Sequence, residues 1–163
     1  MSRDVRSFDY VNQPYDRVRD TLKANATEVF RTATQAARAR LESVASVLRV
    51  NVGALEISTA IDIEVGTIVE VPGGPGRPRM LEIPVHWKAA ERSALFPVMN
   101  AQLDVYPLAA TETQLDFHGQ YDPPLGVLGS AVDAAVGHRI AEASVHRFVS
   151  EVAQYLRATR TSR

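Results

Sequence analysis

Residues Met99–Tyr121 read MNAQLDVYPLAATETQLDFHGQY. Met99, Ala101, Leu103 and Val105 interleave with Asn100, Gln102, Asp104 and Tyr106. After a short break, Leu115, Phe117, Gly119 and Tyr121 interleave with Gln114, Asp116, His118 and Gln120. A period of two sends one set to a dry face and the other to water. Strands this close in sequence pair antiparallel, with one face left wet.

The same alternation extends upstream. Leu81, Ile83, Val85 and Trp87 alternate with Glu82, Pro84, His86 and Lys88. From Leu55 to Val71 the odd positions are all apolar or Thr, which predicts burial of one face, with the strand bent or divided near Gly66. Residues 72–78, PGGPGRP, read as a connecting loop; they lack the Gly-Lys-Ser/Thr ending of a phosphate-binding loop. Leu48, Val50 and Val52 predict a further short strand. Residues 4–12 predict a first strand, with Phe8 and Tyr10 on one side and Ser7 and Asp9 on the other. Pro14 then opens a short helix carrying Val18 and Leu22. Asn25 with Glu28 resembles a capping box opening a second, along which Phe30, Ala33, Ala37, Leu41 and Val44 recur. The strand count is six, or seven if Gly66 divides the long one.

The chain from about Pro124 to Arg157 has helical periodicity. Val145, Phe148, Val149, Val152 and Leu156 share one side, which should grip the sheet. Continued toward the start, that side carries Val127, Ala131, Ala134, His138 and Ala141. Alanines opposite a sheet leave room for an apolar ligand, or simply let helix and sheet approach. Val132, Val136, Ile140 and Ala143 form a second stripe, to be covered by the earlier helices or by a second copy in a homodimer.

Composition narrows the function. The 163 residues carry 18 Lys+Arg against 19 Asp+Glu, and a net charge of −1 argues against a nucleic-acid partner. Cysteine is absent, which excludes thiolate metal sites and cysteine nucleophiles and agrees with a cytoplasmic location. No apolar run is long enough for stable membrane insertion. The length predicts one domain over 1–163.

The element order resembles the START-related helix-grip superfamily (SRPBCC), which includes pollen-allergen-like proteins and polyketide cyclases. The most specific segments are Val85–Ala89, Leu95-Phe96-Pro97, Tyr106-Pro107-Leu108, Thr113-Gln114-Leu115 and Gly119–Gly126 running into the helix. The resemblance implies an α+β fold: a curved antiparallel sheet of six to seven strands wrapped around a long C-terminal helix, with two short helices after the first strand. It also implies a cavity between sheet and helix for a small hydrophobic molecule such as a lipid or a polyketide. It carries over no catalytic residue and no cofactor.

The expected ligand-binding wall is Ile61, Ile63, Ile83, Val85, Trp87, Met99, Leu103 and Phe117 from the sheet, with Ala134 and Ala141 from the helix. Tyr121 and His138 would orient a ligand, entering near Tyr121–Gly126. The other inward hydroxyls are expected at Tyr10, Thr59, Thr67 and Thr113. His86 and His118 fall on wet faces. His138, Glu142 and His146 recur at i, i+4, i+8, but metal ligands usually converge from more than one element. Two further functions stay open: a cyclase or dehydratase using His138 as acid or base, and an interaction module using the Val132/Val136/Ile140 stripe.

Overall fold

A computed structural model describes residues 2–52, 61–89, 98–122 and 132–159. The strands are β1 (Arg3–Val11), β2 (Ile61–Val65), β3 (Val69–Val71), β4 (Met80–Ala89), β5 (Val98–Ala109) and β6 (Glu112–Asp122). Helix α1 spans Tyr15–Val52 and α2 spans Val132–Ala158. The sheet runs β1-β6-β5-β4-β2, with β3 also on β4, and every pairing is antiparallel.

The opening stretch is the β5–β6 hairpin, in register Met99↔Tyr121, Ala101↔Gly119, Leu103↔Phe117 and Val105↔Leu115. All but Ala101 and Gly119 among these eight are buried. The dry face holds, because a shift of one residue would turn the whole apolar set into water.

The long upstream alternation is divided at Gly66. Its N–H donates to the Pro84 carbonyl at 2.8 Å, and a Cβ there would stand 2.8 Å from the Pro84 side chain. β2 and β3 thus pair with different parts of β4. The face inverts across this break. Ile63 lies opposite Trp87 and Val65 opposite Val85, on the dry face, but Val69 lies opposite Glu82 and Val71 opposite Met80. Glu70 reaches Lys23 of α1 at 2.9 Å. The expected single face for all odd positions therefore fails after Gly66, and Thr67 is exposed in the break.

Two other expectations are corrected. Residues 48–52 continue α1 and form no strand. Leu41, Val44, Leu48 and Val52 also satisfy spacings of three and four, so a short apolar run fits either period. Tyr10 faces outward and is 46% exposed; Val5 and Val11 carry the dry face of β1. Asn25 does break the helix, with φ −141° and ψ 27°, as the capping signal predicts. Glu28, however, pairs with Arg31 at 2.8 Å.

Helix α2 lays Ala141, Val145, Phe148, Val149, Val152, Ala153 and Leu156 into the core. Phe148 joins three elements: its ring centroid is 5.6 Å from Phe30 of α1, 5.4 Å from Trp87 of β4 and 5.7 Å from Phe117 of β6. Near the other end of the helix, Gln13 donates to the Leu156 carbonyl at 2.6 Å and Thr113 to the Gln13 carbonyl at 2.8 Å. Arg157 donates to Asp9 at 3.0 Å and also to the Tyr10 carbonyl.

Candidate functional site

The registers arrange the dry face in rows across the sheet. Ile63, Trp87, Met99 and Tyr121 form one row and Ile83, Leu103 and Phe117 another. Between them run Val85, Ala101, Gly119 and Val5. Ten of the twelve expected wall and orienting residues thus meet on the sheet's inner face or the facing part of α2. The side chains of Ile61 and Ala134 lie outside the described residues, as do Thr59 and the segment expected to form the entrance beyond Asp122. The same holds for the Val132, Val136 and Ile140 side chains of the second stripe.

Tyr121 and His138, expected separately as orienting groups, are hydrogen-bonded to each other. The Tyr121 oxygen lies 2.6 Å from His138 Nδ1, and the rings stack with centroids 6.1 Å apart. His138 Nε2 lies 3.2 Å from Glu142. Arg3, paired opposite Tyr121 on β1, brings its charge and a hydrogen bond to the phenol. A guanidinium only donates, so the phenol oxygen accepts from Arg3. A carboxylate only accepts, so Nε2 carries the hydrogen toward Glu142, and in the neutral imidazole Nδ1 then accepts the phenol proton. The result is a directional chain, Arg3 to Tyr121 to His138 to Glu142, from the sheet edge to the helix.

Arg3 is the member that sequence reasoning missed. It is close to Tyr121 only through the β1–β6 register, which no local pattern encodes. The helical row also splits: His146 turns to Ser7 at 3.4 Å, leaving His138 with Glu142.

Burial raises the Tyr121 hydroxyl above the ordinary phenol value; the charge and hydrogen bond of Arg3 oppose this, and Glu142 adds to it. Tyr15 and Tyr106 are raised too, chiefly by burial. Unfolded tyrosine ionises near pH 10. A raised folded value means the associated stability is present below that pH and is lost as pH climbs through the folded value. The native tyrosinate absorbance curve is therefore expected to lie alkaline of the denatured one, with part of the lag removed by Tyr121→Phe. Coincident curves would refute the burial argument.

The outer face carries its own polar network. Asp116 is buried under Arg6, with Nε to Oδ1 at 2.9 Å and Nη2 to Oδ2 at 2.6 Å. His118 meets Asp104 at 2.9 Å, and His86 meets Asn100 at 2.6 Å. Both histidines thus lie on the expected wet face, each beside a polar partner. These groups brace neighbouring strands. Among the described residues no set of His, Asp and Glu could hold a metal ion. No described helix is long and apolar enough to cross a membrane.

No family model matches the chain, and neither does any curated protein. Solved structures do. TTHA0849 from Thermus thermophilus is 14% identical with a TM-score of 0.53, over 98% of this chain and 100% of that one. Norcoclaurine synthase from Thalictrum flavum, in complex with dopamine and hydroxybenzaldehyde, is 13% identical with a TM-score of 0.47, over 100% and 90%. The Zhui aromatase/cyclase of a Streptomyces species is 14% identical with a TM-score of 0.38, over 99% and 100%. The antiparallel sheet, its strand order and the long final helix laid on its inner face give this chain a helix-grip α+β fold.

Proposed function

We propose that this protein binds and carries a small hydrophobic molecule between the sheet and the N-terminal half of α2, acting in the cytoplasm as a single domain. The observation that carries the reading is the Tyr121–His138 pair, set at the edge of an apolar wall of Trp87, Met99 and Phe117. Aromatic and aliphatic walls supply affinity, about 25 cal/mol per Å² of apolar surface removed from water. One polar pair at the margin supplies orientation. The pair is a natural partner for a polar group at one end of a ligand.

A second reading, an acid–base enzyme of the cyclase or dehydratase kind, draws on the same chain of bonds. Tyr121, His138 and Glu142 could pass a proton along their line. The raised Tyr121 hydroxyl favours a donor over a phenolate in that role.

Native mass spectrometry of freshly purified protein, followed by solvent extraction, is the test. A co-purifying apolar molecule is expected. Ala141, fully buried on the helix face, gives the companion variant. If space lies beside it, Ala141→Leu keeps its stability and loses the ligand. A protein without bound ligand whose Ala141→Leu variant is destabilised by about 1–3 kcal/mol, the cost of overpacking a filled site, would overturn the carrier reading.

A further inference from the structure

Trp87 is the chain's single tryptophan, 5% exposed, and its indole N–H finds no acceptor among the described residues. Both of its ring contacts are apolar. Phe117 stacks on it with centroids 6.0 Å apart, and Phe148 meets it edge-on at 5.4 Å. Buried tryptophan normally finds a partner for this group, because an unsatisfied donor forfeits its hydrogen bond to water. In the same row Tyr121 bonds His138, whereas the Tyr15 hydroxyl, at the far side of the core, is also without a partner among the described residues.

The position of the orphan is informative. Trp87 occupies the same cross-sheet row as Tyr121, two strands away through Met99. Two strand spacings put the two residues roughly 10 Å apart. Both lie near strand ends, two residues before the end of β4 and one before the end of β6. The wall proposed above therefore has two polar points, the Tyr121–His138 pair and a lone donor.

We infer that the Trp87 indole N–H is a ligand-binding group, and that the ligand is a predominantly apolar molecule with a carbonyl oxygen that accepts this hydrogen bond. The inference rests on the proposed carrier function and adds the ligand's chemical class. A donor-only group selects for an acceptor: a pure hydrocarbon leaves it unpaired, a ketone satisfies it.

The test compares tridecan-2-one with tridecane, which differ in one carbonyl, by displacement of anilinonaphthalene sulfonate. Trp87→Phe keeps an aromatic ring and removes the donor, and the volume it loses is common to both probes. The ketone-to-alkane affinity ratio is expected to fall about five- to tenfold relative to wild type, with alkane binding retained. Wild type supplies a second measurement that does not depend on the variant folding: Trp87 fluorescence should move to longer wavelength with the ketone and not with the alkane. An unchanged ratio in Trp87→Phe, or ketone binding with no change in emission, overturns the role of the indole while leaving the carrier function standing. Binding of neither probe to wild type overturns the carrier function, and the role of the indole with it.

Discussion

Phe148→Ala is expected to lower the free energy of unfolding by about 4 kcal/mol, within the range for truncating a buried phenylalanine. Phe148 is 1% exposed and packs against Phe30, Trp87 and Phe117. Its removal uncouples α1, α2 and the sheet at one point, and three rings cannot all move in to fill the gap. Domains of this size are stable by about 5–15 kcal/mol, so the variant should be marginal. Urea unfolding followed by Trp87 emission reads the loss directly, because that indole sits against the deleted ring. Phe148→Leu keeps most of the volume and should cost less than half as much. A loss below about 1 kcal/mol for the alanine variant would mean that the cluster is not the keystone of the core.

Gly119→Ala is expected to cost about 3 kcal/mol, although it adds only a methyl group to a strand. A Cβ at this position would stand 2.5 Å from the Ala101 Cβ and 2.5 Å from the Asn100 carbonyl oxygen. The second obstacle is backbone, so the β5–β6 pair would have to part. Ala101→Gly in the same chain removes one obstacle and should recover some of the loss, which a double-mutant cycle measures as coupling. Because Tyr121 follows two residues later, the displaced strand should also weaken ligand binding. A neutral Gly119→Ala would show that the strands yield easily at this point.

Much of the architecture is legible in period alone. Alternation sorts β4, β5 and β6 correctly into dry and wet faces, because the apolar side chains of each strand pack on one side; on the other, Asp116 is covered by Arg6. The grip of α2 follows equally well from Val145, Phe148, Val149, Val152 and Leu156, all buried. Local pattern fails where long-range geometry decides. Tyr10 belongs to an apolar-looking edge strand, yet Val5 and Val11 are the residues that pack. Val69 faces out because a break at Gly66 reverses the face, and a break of three residues leaves no mark on the odd–even pattern. The Tyr121–His138 pair was legible as two candidates but not as a bond, since strand and helix phases do not specify which side chains meet. Arg3 and the orphaned indole of Trp87 required the register itself.

The bonds from Arg157 to Asp9 and to the Tyr10 carbonyl span nearly the whole sequence; Asp9 and Arg157 are 148 residues apart. During translation at about 5–20 residues per second, β1 waits roughly 7 to 30 seconds for that partner. Its pairing strand β6 is also late, and Phe8, 67% exposed even in the finished fold, stands in the waiting segment. In a nascent chain of this design β1 stays without its ladder until β6 is made, and without the Arg157 clamp until α2 is complete.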